Sequence, residues 1–394
     1  MDYRSEAVTL LSNLVAIPSV STQPAEADLG AFVEQYCQAL GMEVERQYID
    51  DIRFNVVAKL TLGTGQGKTV VLNSHMDVVP AAEGWDTDPF QLTVKDDGRA
   101  YGRGATDAKG CLTALMVATK AIAQAPGDLN GTVILTGVAD EESQSRGARA
   151  VVERADVQAA DYGIVGEPTE CRVALGHNGS LRPFITIHGR TAHSSTPDLG
   201  ISAVRVAAYM SGLVDQRQAH LRQVVHPTTG RPSISITILR ADVKENVLPD
   251  YCEMVIDRRM VPGEREAEII ADLELLCRQA EEAFPGAKVA IDHYLMTTGP
   301  ASEVAADSEI ARIAYAACEQ VTGQKQTPFG LTCNTDMNHF VRAGIPTVII
   351  GPNIIDICHK PNEYVELEQL ETACRVDEAV IRALLRGGAP SQQT

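Results

Sequence analysis

The sequence predicts a mixed-sheet α/β domain interrupted by an inserted ferredoxin-like α+β domain. Three observations carry this. First, β-branched apolar runs at Thr69 to Asn73 and Thr132 to Val138 alternate with helical patterns, as in an α/β sheet with parallel strands. Second, from Phe184 to Tyr294 the order becomes strand, helix, strand, strand, helix, strand, which is that of a ferredoxin-like unit. Third, the α/β pattern resumes with a helix from Ser308 to Thr322. The expected division is 1–180 and 297–394 for the first domain and 181–296 for the insertion.

Taken in order, Ala7, Leu10, Leu11, Leu14 and Val15 recur at helical spacing, and Pro18 stops that helix. A second helix runs over 29–40 and ends at Gly41. Strands follow at Glu43 to Tyr48 and Asn55 to Leu60. The Gly-rich stretch Gly63 to Thr69 is not a phosphate loop. Leu62 stands where the first glycine is needed, and the stretch precedes a strand instead of following one. Past Thr69 to Asn73, a hairpin is expected around Lys95 to Gly98, then a helix from Cys111 to Ala123. The strand Thr132 to Val138, a helix from Ala148 to Glu153 and a short strand at Gly163 to Val165 follow. Within the insertion, strands at Phe184 to His188, Ser233 to Leu239, Cys252 to Arg258 and Val289 to Tyr294 flank helices at Ser202 to Leu213 and Glu266 to Phe284. The strand Thr347 to Ile350 and a helix from Leu367 to Leu385 close the fold. The tail Gly387 to Thr394 reads as loose.

The 394 residues are 44% hydrophobic but only 5% aromatic, so aliphatic cores of two-domain size are expected. A net charge of -18 disfavours nucleic acid and anionic membranes as partners. No stretch approaches the roughly 20 apolar residues of a membrane span. Met1 leads directly into Asp2 and Glu6, without a signal-peptide pattern. Nine cysteines, irregularly spaced and without a CxxC pair, fit a reducing cytoplasm.

The chemistry gathers around Asp107, in Gly104-Ala105-Thr106-Asp107-Ala108-Lys109-Gly110. A carboxylate has two oxygens, so Asp107 could serve two metal ions at once. His75, Glu141, Glu142 and Glu167 each fall just past an apolar run, and His359 follows far downstream. In sheets of this kind sites lie outside the carboxyl ends of the strands. Singly, each residue is explained by a solvated acid or a structural histidine; jointly they point to a two-metal amide hydrolase. Imidazole nitrogen and carboxylate oxygen suit zinc, cobalt or manganese. Asp77, two residues past His75, is expected to accept a hydrogen bond from the imidazole. If the backbone is extended at the adjacent glutamates, they point apart, which assigns Glu142 to metal and Glu141 to proton transfer. In the insertion, His193 could donate to an oxyanion, and Arg259 could clamp a substrate carboxylate.

These motifs resemble the M20 metallopeptidases, within the group of acetylornithine deacetylases and succinyl-diaminopimelate desuccinylases. The resemblance spans nearly the whole chain, through Ser74-His75-Met76-Asp77, Tyr101 to Gly110, Glu141-Glu142, Gly166-Glu167-Pro168, Ala192-His193-Ser194-Ser195, Asn246 to Asp250, Asp257 to Gly263 and His359 to Glu363. It implies one metal held by His75, Asp107 and Glu167, and another by Asp107, Glu142 and His359. It implies Glu141 as general base, Asp77 as partner of His75, and His193 reaching a neighbouring subunit's site. Asn246 and Arg259 match substrate-contacting lid residues. A homodimer through the insertion, lid closure and a cis peptide at Asp107-Ala108 are also implied. The expected substrate is a small N-acyl amino acid, with acetylornithine or a relative leading. A succinylated amino acid, a short peptide and a catabolic amide are the alternatives on the same metal core, and a non-catalytic small-molecule-binding protein is the remote one. Cys333, Asn334, Met337, Asn338 and Cys358 depart from the family pattern and bear on the choice of substrate.

Overall fold

The computed structural model describes residues 1–241 and 244–386, so the expectation for Gly387 to Thr394 lies outside the described residues. The chain divides into two compact units. The first comprises Met1–Gly176, Glu303–Leu331 and the described residues from Thr335 onward; the second comprises the described residues of His177–Ser302 together with Thr332–Asn334.

A six-stranded mixed sheet organises the first unit. Its spatial order is Glu43–Tyr48, Phe54–Leu62, Gly131–Val138, Lys68–His75, Tyr162–Val165, Thr347–Ile349. The first two pairings are antiparallel and the other three parallel. Gly131–Val138 is buried along its whole length, as expected of a strand covered on both faces. The helices Tyr3–Val15, Lys109–Gln124, Glu309–Thr322 and Leu367–Arg386 pack with one another, and their apolar stripes meet Leu72, Val133, Leu135, Ile164 and Val348 in one aliphatic core. That core explains the low aromatic content. The expected hairpin forms between Thr93–Val94 and Arg99–Tyr101 and pairs onward with Tyr364–Glu366.

The second unit has the predicted β-α-β-β-α-β order. Its antiparallel sheet runs Ser233–Arg240, Tyr251–Met260, Gly179–His188, Lys288–Leu295. Helices Ala203–Leu221 and Glu266–Ala283 bury Ile185, Ile187, Met254 and Ile256 with Val206, Met210, Leu273 and Leu276. The helix at 203 continues to Leu221 and does not stop at Leu213, because Val214 and Leu221 prolong its buried stripe. The helix Ala25–Ala39 begins four residues before its predicted start, and Met337–Arg342 is a helix the periodicity did not predict. The latter buries the polar residues Asn338 and His339, so it has no apolar repeat to read.

Candidate metal centre

Three adjacent interior strands, parallel to one another, deliver site residues from their carboxyl ends. His75 is the last residue of Lys68–His75, Glu141 and Glu142 follow Gly131–Val138, and Glu167 follows Tyr162–Val165. Asp107 sits in the turn before the helix Lys109–Gln124, with a cis peptide bond to Ala108. His359 comes from the loop after Ile355–Ile357, at a φ of 63°.

The two oxygens of Asp107 face different imidazoles. Oδ1 lies 3.1 Å from His75 Nε2, and Oδ2 lies 3.2 Å from His359 Nε2. Glu142 Oε1 lies 3.1 Å from His359 Nε2, and Glu167 Oε1 lies 3.8 Å from His75 Nε2. His75, Asp107 and Glu142 each offer a ligand atom within 4.8 Å of the others. His75, Asp107, Glu142 and Glu167 have buried side chains, whereas that of His359 is 53% exposed and opens the cluster to solvent.

The electrostatics fit a site for cations. Burial pushes the Asp107 carboxyl up, but the bonds to His359 and His75 outweigh it and hold it below the usual range. Burial, then Asp107, pushes Glu142 up to about 7. Burial also raises Glu167 and Glu141 well above an ordinary glutamic acid, helped by nearby carboxylates that include Asp336 and opposed by His75. Burial disfavours a charged His75, yet its bond to Asp107 and the neighbouring carboxylates raise it. Such crowding of like charge is costly without positive charge to offset it. Nitrogen and carboxylate donors arranged this way could hold zinc-like ions.

Asp77 differs from the sequence expectation. His75 Nδ1 lies 2.8 Å from the Asp77 backbone carbonyl, while the nearest carboxylate oxygen is 3.7 Å away. The carboxylate instead accepts the backbone N–H groups of Glu141 (3.0 Å) and Glu142 (3.1 Å). The two glutamates lie on a turn, not on extended backbone, so alternation along a strand does not separate them.

Other buried charges support the site. Glu363 accepts backbone N–H groups from Gly104, Thr106 and Asp107 and pairs with Arg103. Asp336 accepts from Asn73 and Ser145. Glu363 closes the His359 to Glu363 motif, and neither it nor Asp336 carries a further local signal of its proximity to the site.

In the second unit, His193 is exposed and pairs with Val247 across a short ribbon, and Ser194 N–H donates to the Asn246 carbonyl. His193 Nδ1 accepts the Ser195 backbone N–H at 3.1 Å. A backbone nitrogen can only donate, so this contact places the ring N–H on Nε2. Arg259 donates through Nε to Asp257 (2.7 Å) and through Nη1 to Asn334 (3.4 Å).

With the fold and this cluster in view, comparison with known proteins defines the class: the chain belongs to peptidase family M20/M25/M40, whose profile matches residues 71–383, and it is a hydrolase of that family. It is similar to the acetylornithine deacetylase of Proteus mirabilis (strain HI4320), at 28% identity over 376 residues that cover 92% of this chain and 93% of that protein. A tripeptidase from Staphylococcus aureus shares the fold with a TM-score of 0.80 at 21% identity, over 97% of this chain and 99% of that one. The YXEP protein of Bacillus subtilis, described as a dinuclear metal-binding peptidase, gives a TM-score of 0.71 at 19% identity, over 96% and 98% of the two chains.

Proposed function

We propose that this protein hydrolyses the amide bond of a small N-acyl amino acid, as a deacylase of the acetylornithine deacetylase kind. The observation that carries the reading is the placement of one carboxylate, Asp107, between two imidazole nitrogens, each with a further glutamate beside it. The similarity to a curated acetylornithine deacetylase over most of both chains supports the acyl amino acid.

In this reading His75, Asp107 and Glu167 hold one divalent ion, and Asp107, Glu142 and His359 the other. Zinc is the leading candidate, and cobalt and manganese accept the same donors. When bound, such ions supply Lewis acidity, which activates water near neutral pH and polarises a carbonyl. Glu141 takes a proton from the attacking water and returns it to the leaving nitrogen, so that a carboxylate and an amine are released. Its burial and the carboxylates around it favour the proton-carrying state that the second half of the step needs. Asp77 orients Glu141 and Glu142 through their backbone N–H groups. His193 offers its Nε2–H to the oxyanion, as a donor that gains strength when water is excluded. Arg259, fixed by Asp257, presents its remaining N–H groups to the substrate carboxylate, and Asn246 contributes a further polar contact. The second unit serves as lid and dimerisation domain in a homodimer. Nine free thiols support a reducing cytoplasm as the location. No helix among the described residues is long and apolar enough to cross a membrane.

The test is amine release from a panel of N-acetyl and N-succinyl amino acids and dipeptides, with zinc or cobalt supplied. One preferred N-acetyl compound is expected. The Glu141→Ala variant should keep its metal yet lose about 100-fold or more in turnover, the scale of general acid–base catalysis. Silence across the panel with metal bound would overturn the deacylase reading, and unchanged turnover in the variant would overturn the role of Glu141.

A further inference from the structure

Three successive backbone N–H groups, those of Asp140, Glu141 and Glu142, each donate to a buried carboxylate. Asp140 N–H reaches Glu26 Oε2 at 3.0 Å, and the next two reach the two oxygens of Asp77. A turn that presents consecutive N–H groups is a ready anion site, and here the protein fills it with its own side chains. Glu26 is 1% exposed and comes from the first turn of the helix Ala25–Ala39, far from the turn in sequence.

Glu26 is itself held. Its Oε1 accepts the Thr22 backbone N–H and lies 2.8 Å from Arg53 Nη1. The same Nη1 lies 2.8 Å from Asp140 Oδ1. Arg146 also binds the Asp140 carboxylate, with Nε 2.9 Å from Oδ2 and Nη2 3.0 Å from Oδ1. Asp140 has a φ of 72°, in the left-handed region that a side-chain-bearing residue enters at a cost. Both the backbone N–H and the carboxylate of this strained residue are therefore fixed, and Glu141 is the next residue along. Burial, then the Asp77 carboxylate, pushes Glu26 up to about 7. The two carboxylates that grip the turn thus repel each other, an arrangement that stability alone does not favour.

We propose that Glu26 is a positioning residue for the Glu141–Glu142 pair: with Arg53 it locks Asp140 in its left-handed conformation and so sets where both glutamates point. This rests on the hydrolase reading above, in which Glu141 moves the proton and Glu142 holds metal. Glu26 touches neither substrate nor metal; it acts through the backbone of Asp140. The Glu26→Gln substitution conserves shape but sets an NH₂ group against a donor, either Asp140 N–H or the Arg53 guanidinium. The turn then loses one anchor without losing volume.

The test uses full-length, metal-loaded enzyme. For the best amide substrate, Glu26→Gln should lower kcat about 10- to 100-fold while KM stays within about twofold. Bound metal per chain should not change. Hydrogen exchange should quicken at the amides of Asp140 to Glu142 and not along Gly131–Val138. The control is Leu11→Ala, which opens a hole in the core of the same unit and touches no part of the turn; it should lower Tm and leave kcat intact. Glu26→Asp, which shortens the side chain by one methylene, gives a second reading should Glu26→Gln fail to fold. Wild-type kcat and exchange in both glutamate variants would overturn the proposal, as would a kcat loss matched by Leu11→Ala. The exchange measurement needs no turnover, so a wild-type enzyme silent on every amide would sink the hydrolase reading and still leave Glu26 tested as the anchor of the turn.

Discussion

Glu363 receives the backbone N–H of Asp107 at 3.0 Å, and it stands four residues beyond His359 in the chain. One buried carboxylate thereby ties the loop of Asp107 to the loop of the most exposed candidate ligand, His359. With Thr106 N–H at 2.9 Å, Gly104 N–H at 3.2 Å and the Arg103 guanidinium, every partner of Glu363 is a donor. Glu363→Gln would turn an NH₂ group toward that set. Outer partners of ligands typically contribute 10- to 100-fold in affinity, so zinc affinity should fall by about 10-fold or more. Calorimetric titration of the metal-free protein checks this; equal affinity in both proteins would show that the clamp does not reach the metal centre.

Asp377 makes a pH prediction. It is fully buried in the helix Leu367–Arg386, and neither carboxylate oxygen has a hydrogen-bond partner among the described residues. Burial pushes its carboxyl well above the ordinary range. Between the unfolded pKa and this raised folded value, the folded state holds the extra proton. Stability therefore falls as pH rises above about 4, at up to about 1.4 kcal/mol per unit for this group. Asp377→Asn removes the titration. Its stability relative to wild type should increase from pH 5 to pH 7 in urea unfolding; a difference independent of pH would contradict the buried-acid account.

Metal removal should act on both activity and stability. Without cations, Asp107, Glu141, Glu142 and Glu167 crowd one cluster beyond the carboxyl ends of the parallel strands. Dialysis against a chelator is expected to abolish amide hydrolysis and lower Tm, and zinc or cobalt should restore both. Full activity in protein shown to be free of metal would refute the two-ion reading.

His193 is a donor by its hydrogen bonding, since Nδ1 already accepts from Ser195 N–H. His193→Ala should lower kcat about 100-fold, as loss of an oxyanion donor does elsewhere, with metal content unchanged. His193→Gln, which keeps a donor, should recover part of that loss. Equal activity in all three proteins would remove His193 from the reaction.

Much of the fold was legible because its elements are apolar and periodic. The strand Gly131–Val138 and the helix Glu266–Ala283 stand within a residue of their predicted limits. The residues His75, Glu141, Glu142 and Glu167 were conspicuous because each follows such a run, and Asp107 because its Gly-rich loop lies between them in the chain. What the sequence hid is the charged support behind them. Glu26 and Arg53 look like solvated residues in polar stretches, and only the packing of distant segments buries them. Asp77 shows the same limit at short range. Its spacing from His75 predicted a ring contact, whereas the turn at Asp140 draws its carboxylate to the N–H groups of Glu141 and Glu142. A backbone turn at a positive φ on a non-glycine residue has no compositional mark. The helix Met337–Arg342 was missed for a related reason: it is only six residues long, and Asn338 and His339 are buried beside Met337 and Phe340, so no apolar repeat marks it.

The placement of Thr347–Ile349 at the far edge of the large sheet has a consequence for the growing chain. Ile164 pairs with Val348, which follows the entire inserted unit in the sequence. During synthesis every described residue of the insertion, Thr332–Asn334 included, is made before the strand Tyr162–Val165 meets its outer neighbour. It can therefore fold first, while the earlier-made segments wait with an open strand edge exposed to mispairing. His359 and Glu363 emerge later still. The nascent polypeptide thus carries His75, Asp107 and both glutamates of the turn for most of its synthesis without the group that completes them.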